Sequence, residues 1–124
     1  MQNNDFIPAG AALLVIYRHY ITMNGRAIAL LGGMPYVRFT VLNGHITVSG
    51  TTSPAGNRMQ LRGKCGRINS TALAAWLSRN LQGYGTYRIQ EEYQVHNLNG
   101  EAPCYEIFFR KYQNQRTTNH ADQN

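Results

Sequence analysis

Apolar and polar residues along this 124-residue chain mostly alternate with a period of two, as expected of strands whose successive side chains face opposite sides of a sheet. Residues 12–23 are dense in β-branched and aromatic types, including Val15, Ile16, Tyr17, Tyr20, Ile21 and Thr22, and predict one strand. Asn24-Gly25 comes next with the strongest short hairpin signal, because both central residues of a type I′ turn need positive φ, so residues 27–31 are predicted to return as a second strand. Gly32-Gly33-Met34-Pro35 breaks the pattern. From 36 to 41, Val37, Phe39 and Val41 alternate with Tyr36, Arg38 and Thr40, giving one core face and one solvent face. Asn43-Gly44 predicts a second tight hairpin into residues 45–49, where Ile46 and Val48 continue the apolar face. A loop rich in Thr, Ser, Pro and Gly fills 50–57, and a short strand over 58–62 is predicted to turn Met59 and Leu61 inward.

One segment changes period. Leu73, Trp76, Leu77 and Leu81 stand at i, i+3, i+4 and i+8, which predicts a helix over about 70–82, capped by Asn69 or Ser70 and stopped by Gly83. Alternation then returns over 86–95, with Tyr87, Ile89, Tyr93 and Val95 on one face, which Glu91 interrupts. A turn at 97–100 leads into a last strand over 104–112, with Tyr105, Ile107 and Phe109 on one side. Residues 113–124 are almost wholly polar and predict a disordered tail. The reading is therefore a single α+β domain over 1–112, built as a bent antiparallel sheet or partly open barrel of six to seven strands with one packed helix.

Composition agrees with a packed globule under a polar surface: 43% of residues are hydrophobic and the mean hydropathy is −0.40. Charge adds more. The net charge is +6, yet the 85 residues from Phe6 to Gln90 contain nine arginines and lysines and no carboxylate side chain. Such a segment projects a positive potential on at least one face however its strands are arranged. Ten of the twelve cations are arginine, whose planar guanidinium binds phosphate or carboxylate with two parallel bonds and stacks on rings. A polyanion partner is favoured, and the alternative is that the arginines cap strand edges and solubilise the surface. Arg18, Arg26 and Arg38 are predicted to alternate onto exposed sheet positions, while Arg62, Lys64 and Arg67 crowd the loop before the helix, so one of these triplets is expected to carry the contact.

Enzyme chemistry finds little support. His19, His45, His96 and His120 are scattered without metal-ligand spacing, and four of the six acids fall within residues 91–106, where they also serve as solvated strand positions. Ser70 lacks a nucleophile-elbow context, and the glycines around Lys64-Cys65 match no phosphate-binding loop. No catalytic residue, metal or cofactor is expected. Cys65 and Cys104 read as free thiols of a cytoplasmic protein, because the longest apolar run is too short to span a bilayer and comes after Asp5 rather than a positive segment. Trp76 reads as a core anchor from its helical register, and Tyr84, between two glycines, as an exposed aromatic. Tyr17, Tyr20, Tyr36 and Tyr87 interleave with Arg18, Arg38 and Arg88, the mixture a nucleic-acid-binding sheet would show.

Residues 17–50 carry a strand, a Leu31-Gly32 corner, a strand with Val37, Phe39 and Val41, then Gly44 and a short strand with Ile46 and Val48. This stretch resembles the swapped-hairpin DNA-binding family that includes AbrB-, MazE- and SymE-type proteins. The resemblance implies an interlocked homodimer and implies Arg18, Arg26 and Arg38 as DNA contacts. The remainder, with GRINSTALAAWLSRNL and the terminal hairpin, resembles short, uncharacterised bacterial mobile-element proteins. The expected function is a small non-enzymatic DNA-binding accessory or regulatory protein. The alternative is a protein-interaction module or inhibitor whose arginines meet an acidic partner surface.

Overall fold

The structure is a computed structural model and describes residues 10–95 and 103–111. Residues 1–9, the predicted turn at 97–100 and the predicted polar tail at 113–124 lie outside the described residues, as do His96 and His120.

Residues 12–23, predicted as one strand, form a hairpin instead. Its arms are β1 (Ala12–Ile16) and β2 (Ile21–Met23), with Ile16 paired to Ile21 and the chain reversing through Tyr17–Tyr20. Next comes α1 (Gly25–Leu30), where the sequence predicts a type I′ turn and a returning strand. Asn24 stays extended, with φ −80° and ψ 173°, and its side-chain oxygen accepts the Ala27 N–H as a helix N-cap. The same oxygen accepts the Leu13 N–H at 3.0 Å, and the amide donates to the Ala11 carbonyl at 3.0 Å, tying the helix start to β1. At the other end, Gly32 with φ +78° donates to Ala29 O and Gly33 donates to Ile28 O, the paired bonds that close a helix through a left-handed residue.

The chain continues through β3 (Tyr36–Leu42), β4 (His45–Thr51), β5 (Asn57–Arg58), β6 (Gln60–Arg62), β7 (Cys65–Ile68), α2 (Thr71–Asn80), β8 (Gly85–Val95) and β9 (Cys104–Lys111). The β3–β4 turn is the predicted one, with φ +53° at Asn43 and +81° at Gly44. Helix α2 is capped by Ser70 Oγ accepting the Leu73 N–H, and the chain leaves it through Gly83, with φ +93°. Its Ala74 and Leu77 are buried, while Leu73, Trp76 and Leu81 pack partly buried against the core.

Among the described residues every strand pairing is antiparallel, and the nine strands form one sheet in the order β5-β3-β4-β9-β8-β1-β2-β7-β6. Its two end strands, β5 and β6, are separated in the chain by Met59 alone, so one short stretch runs from the β3 edge to the β7 edge and nearly closes a barrel. Met59 itself is buried and donates its N–H to the Pro35 carbonyl at 2.9 Å. The α+β reading holds in outline, with nine strands in place of six to seven and two helices in place of one among the described residues. Leu61, predicted to face inward, is 63% exposed: it stands on a strand paired on one side only, opposite Gly66, which has no side chain to pack on it. Val41 and Phe109 also lie exposed near strand ends.

The interior is filled by alternate residues of the strands, such as Leu14, Ile21, Val48, Tyr87, Ile89 and Ile107, with Ala27 and Leu77 from the helices. Tyr87 is the largest fully buried side chain, so it serves the core and not a binding face. Its hydroxyl donates to Gly83 O at 2.6 Å and accepts the Gln82 N–H at 2.7 Å, fastening the turn after α2 to β8. Burial pushes this phenol above its usual 10.0, against the smaller opposing effect of the Gln82 bond. Among the described residues no helix is long and apolar enough to cross a membrane.

Candidate nucleic-acid interface

The register of the sheet decides which cations meet. Gln60 pairs with Arg67, Arg67 with Thr22, Thr22 with Val15 and Val15 with Thr86, so these five residues form one row across the outer face of β6, β7, β2, β1 and β8. Paired residues of an antiparallel ladder share a face, and side chains two apart along a strand share it too. Arg62, opposite Cys65, therefore lies on the same face as Arg67, and Tyr20 continues the line of Thr22. The corner of the β6–β7 hairpin is Gly63-Lys64, with Gly63 at φ +62°. Arg62, Lys64 and Cys65 are all exposed.

At the base of this hairpin the arginine meets rings. The Arg67 guanidinium carbon sits 3.7 Å above the Tyr20 ring, and its Nε donates to Asn69 Oδ1 at 2.8 Å. Asn69 reaches on to Gln60 Oε1 at 3.4 Å, which holds the guanidinium plane in place. The Tyr20 ring also stacks on Tyr17, with centroids 4.7 Å apart and planes 29° from parallel. The two tyrosines are brought together by the turn itself, where the Tyr17 N–H donates to Tyr20 O at 2.9 Å. Arg18 and His19, at its corner, are exposed. Arg18 approaches the Tyr84 ring at 5.8 Å, and His19 Nδ1 lies 3.3 Å from Thr71 Oγ1 at the start of α2.

The predicted triplets fare differently. Arg62, Lys64 and Arg67 do come together, but on the paired β6–β7 hairpin and not in the loop expected before the helix. Arg18, Arg26 and Arg38 do not share a sheet face. Arg18 occupies a turn, Arg26 is on α1, and Arg38 is on β3, a strand that pairs with neither β2 nor β7. Arg26 donates from Nε and Nη2 to Glu91 Oε1 at 2.9 and 2.8 Å, so a carboxylate already answers its charge. His45 Nδ1 lies 2.8 Å from Glu106 Oε2, a contact between β4 and β9. Sequence reasoning named Tyr17 and Tyr20 but missed the contact of Tyr20 with Arg67, 47 positions away, because only the β2–β7 ladder creates it.

Other chemistry is thinly represented. Cys65 and Cys104 are free, the first exposed and the second buried. Among the described residues no three His, Cys, Asp or Glu side chains gather to hold a metal ion. A cavity of about 100 Å³ is lined by Leu30, Leu31, Gly32, Met34 and Pro103, whose side chains offer no polar group to orient a ligand. No family model, curated protein or solved structure matches this chain.

Proposed function

We propose that this chain is a small, non-enzymatic nucleic-acid-binding accessory protein of the cytoplasm and that the outer face of the β6–β7 hairpin is its contact surface. One observation carries the reading. Arg62 and Lys64 are exposed and Arg67 half-buried on one short hairpin, and the Glu91 and Glu106 carboxylates belong to other elements, where they meet Arg26 and His45. Cations so placed neutralise phosphates and release the counterions condensed on them, which supplies sequence-independent affinity. The resemblance of residues 17–50 to the swapped-hairpin DNA-binding family points to the same ligand class.

The test is fluorescence anisotropy with labelled DNA across a range of salt concentrations. The unmutated protein is expected to lose affinity linearly on a log-log plot. The combined Arg62→Gln and Lys64→Gln variant, which leaves the Arg67 contacts with Tyr20 and Asn69 in place, is expected to flatten that line by about 0.9 for each duplex phosphate it no longer neutralises, at an unchanged melting temperature. Undetectable binding at low salt would end the reading. It would promote the second one, a protein-interaction module, which the exposed Val41, Phe108 and Phe109 favour.

A further inference from the structure

Resting on the nucleic-acid reading and deepening it, we infer that the ligand is single-stranded and that an unpaired base stacks on the outer face of the Tyr17 ring. The geometry of the stack leads there. A guanidinium 3.7 Å above Tyr20 and a second ring 4.7 Å from it cannot occupy the same face of one phenol, so Tyr20 lies between Arg67 and Tyr17. The order is Arg67, Tyr20, Tyr17. Arg67 closes one end, Tyr17 forms the other, and Tyr17 is 43% exposed.

A stabilising role for this stack is a poor account of where it stands. Ile16 and Ile21 form the last buried pair of the β1–β2 hairpin, at 1% and 0% exposure, and Tyr17 lies one pair beyond them, outside the core. A second exposed ring, Tyr84, lies 5.8 Å from the exposed guanidinium of Arg18, which follows Tyr17 in this turn. An aromatic face beside an exposed cation suits a nucleotide, whose base stacks while its phosphate takes the charge. The bases of a duplex are stacked on one another and shield their faces, whereas a single strand offers them. Stacking reads no particular base, so weak sequence preference is expected.

The experiment compares a labelled strand of about a dozen thymidines, which stack poorly on each other, with a duplex of the same length, using the full chain at low salt. The single strand is expected to bind more tightly. Tyr17→Ala is expected to weaken single-strand binding roughly 5- to 150-fold, the range for removing one base-aromatic stack. Its duplex affinity should be unchanged, and its melting temperature should fall by a few degrees at most, for the lost contact with Tyr20. Tyr17→Leu keeps the apolar bulk without the π-face and is expected to lose as much, while Tyr17→Trp retains binding. Equal affinity for strand and duplex would overturn the inference, and so would a Tyr17→Leu variant that binds the strand as well as the unmutated protein. In either case duplex binding that still depends on Arg62 and Lys64 leaves the underlying nucleic-acid reading standing. Absence of binding to both ligands overturns the two together.

Discussion

Asn24-Gly25 and Asn43-Gly44 are the same dipeptide in two corners of one barrel, and the chain uses them in opposite ways. At the second, both residues adopt positive φ, +53° and +81°, and the chain folds back from β3 to β4. At the first, Asn24 remains extended at φ −80° and its side chain, not its backbone conformation, does the structural task by capping α1. The residues on the C-terminal side of each corner account for the difference. Arg26, Ala27, Ile28, Ala29 and Leu30 include strong helix formers, and Ala27 buries completely. His45 to Val48 include the β-branched Ile46, Thr47 and Val48, which favour a strand. Asn24 also finds partners outside its own turn, in Leu13 N–H and Ala11 O, whereas the Asn43 corner is exposed. A turn dipeptide is thus a local preference that flanking propensity and tertiary hydrogen bonds can redirect.

Substitutions at the two corners separate the roles, and the largest effect belongs to the first. Asn24→Ala removes the cap, which costs about 1 kcal/mol. It also leaves the part-buried Leu13 N–H and Ala11 O without their partner, a further penalty of about 1–3 kcal/mol. A total loss of about 3 kcal/mol is expected by urea denaturation. Asn24→Ser divides that figure, because serine caps nearly as well as asparagine while its shorter side chain falls short of β1. It is expected to recover about 1 kcal/mol of the loss. If Asn24→Ser were as stable as the unmutated protein, the bonds to β1 would contribute nothing, and the contrast with Asn43 would reduce to capping alone.

The same contrast explains how far the sequence could be read. Helix α2 was legible because its cap, apolar stripe and stop all agree over the stretch from Ser70 to Gly83. Helix α1 was hidden because six residues are too few to establish a period and Asn-Gly supplies a competing signal. The β1–β2 reversal was hidden for a related reason. Its corner, Arg18-His19, contains none of the usual turn residues, and among the described residues the only non-glycine with positive φ is Asn43. Closure of the barrel depends on a partner switch at Met59, which no local pattern encodes. At the candidate site, Arg62, Lys64 and Arg67 were legible as a group since they are close in sequence. The grouping of Arg18, Arg26 and Arg38 failed because it assumed three strands, and two of those residues occupy a turn and a helix.

A smaller effect tests the second corner. Gly44 has no heavy atom within 4 Å of where a Cβ would stand, so Gly44→Ala meets no clash and isolates the cost of a left-handed residue. A loss of about 1–2 kcal/mol is expected from thermal melts, as for any alanine forced to φ near +80°.

Gly25→Ala should have the smallest effect of the set, and its sign is a balance of two terms. Gly25 has no positive φ to preserve, and alanine is a better helix former by up to about 1 kcal/mol, less at the first turn than in the interior. Against this, the new Cβ would stand 3.2 Å from the Lys64 carbonyl oxygen, so the corner of the β6–β7 hairpin must give by a few tenths of an ångström. The expected change is within about 0.5 kcal/mol of zero, with amide NMR shifts concentrated at Gly63, Lys64 and Cys65. A cost matching that of Gly44→Ala would mean that Gly25 is needed for its backbone freedom after all, and the two corners would then be more alike than their dihedral angles indicate.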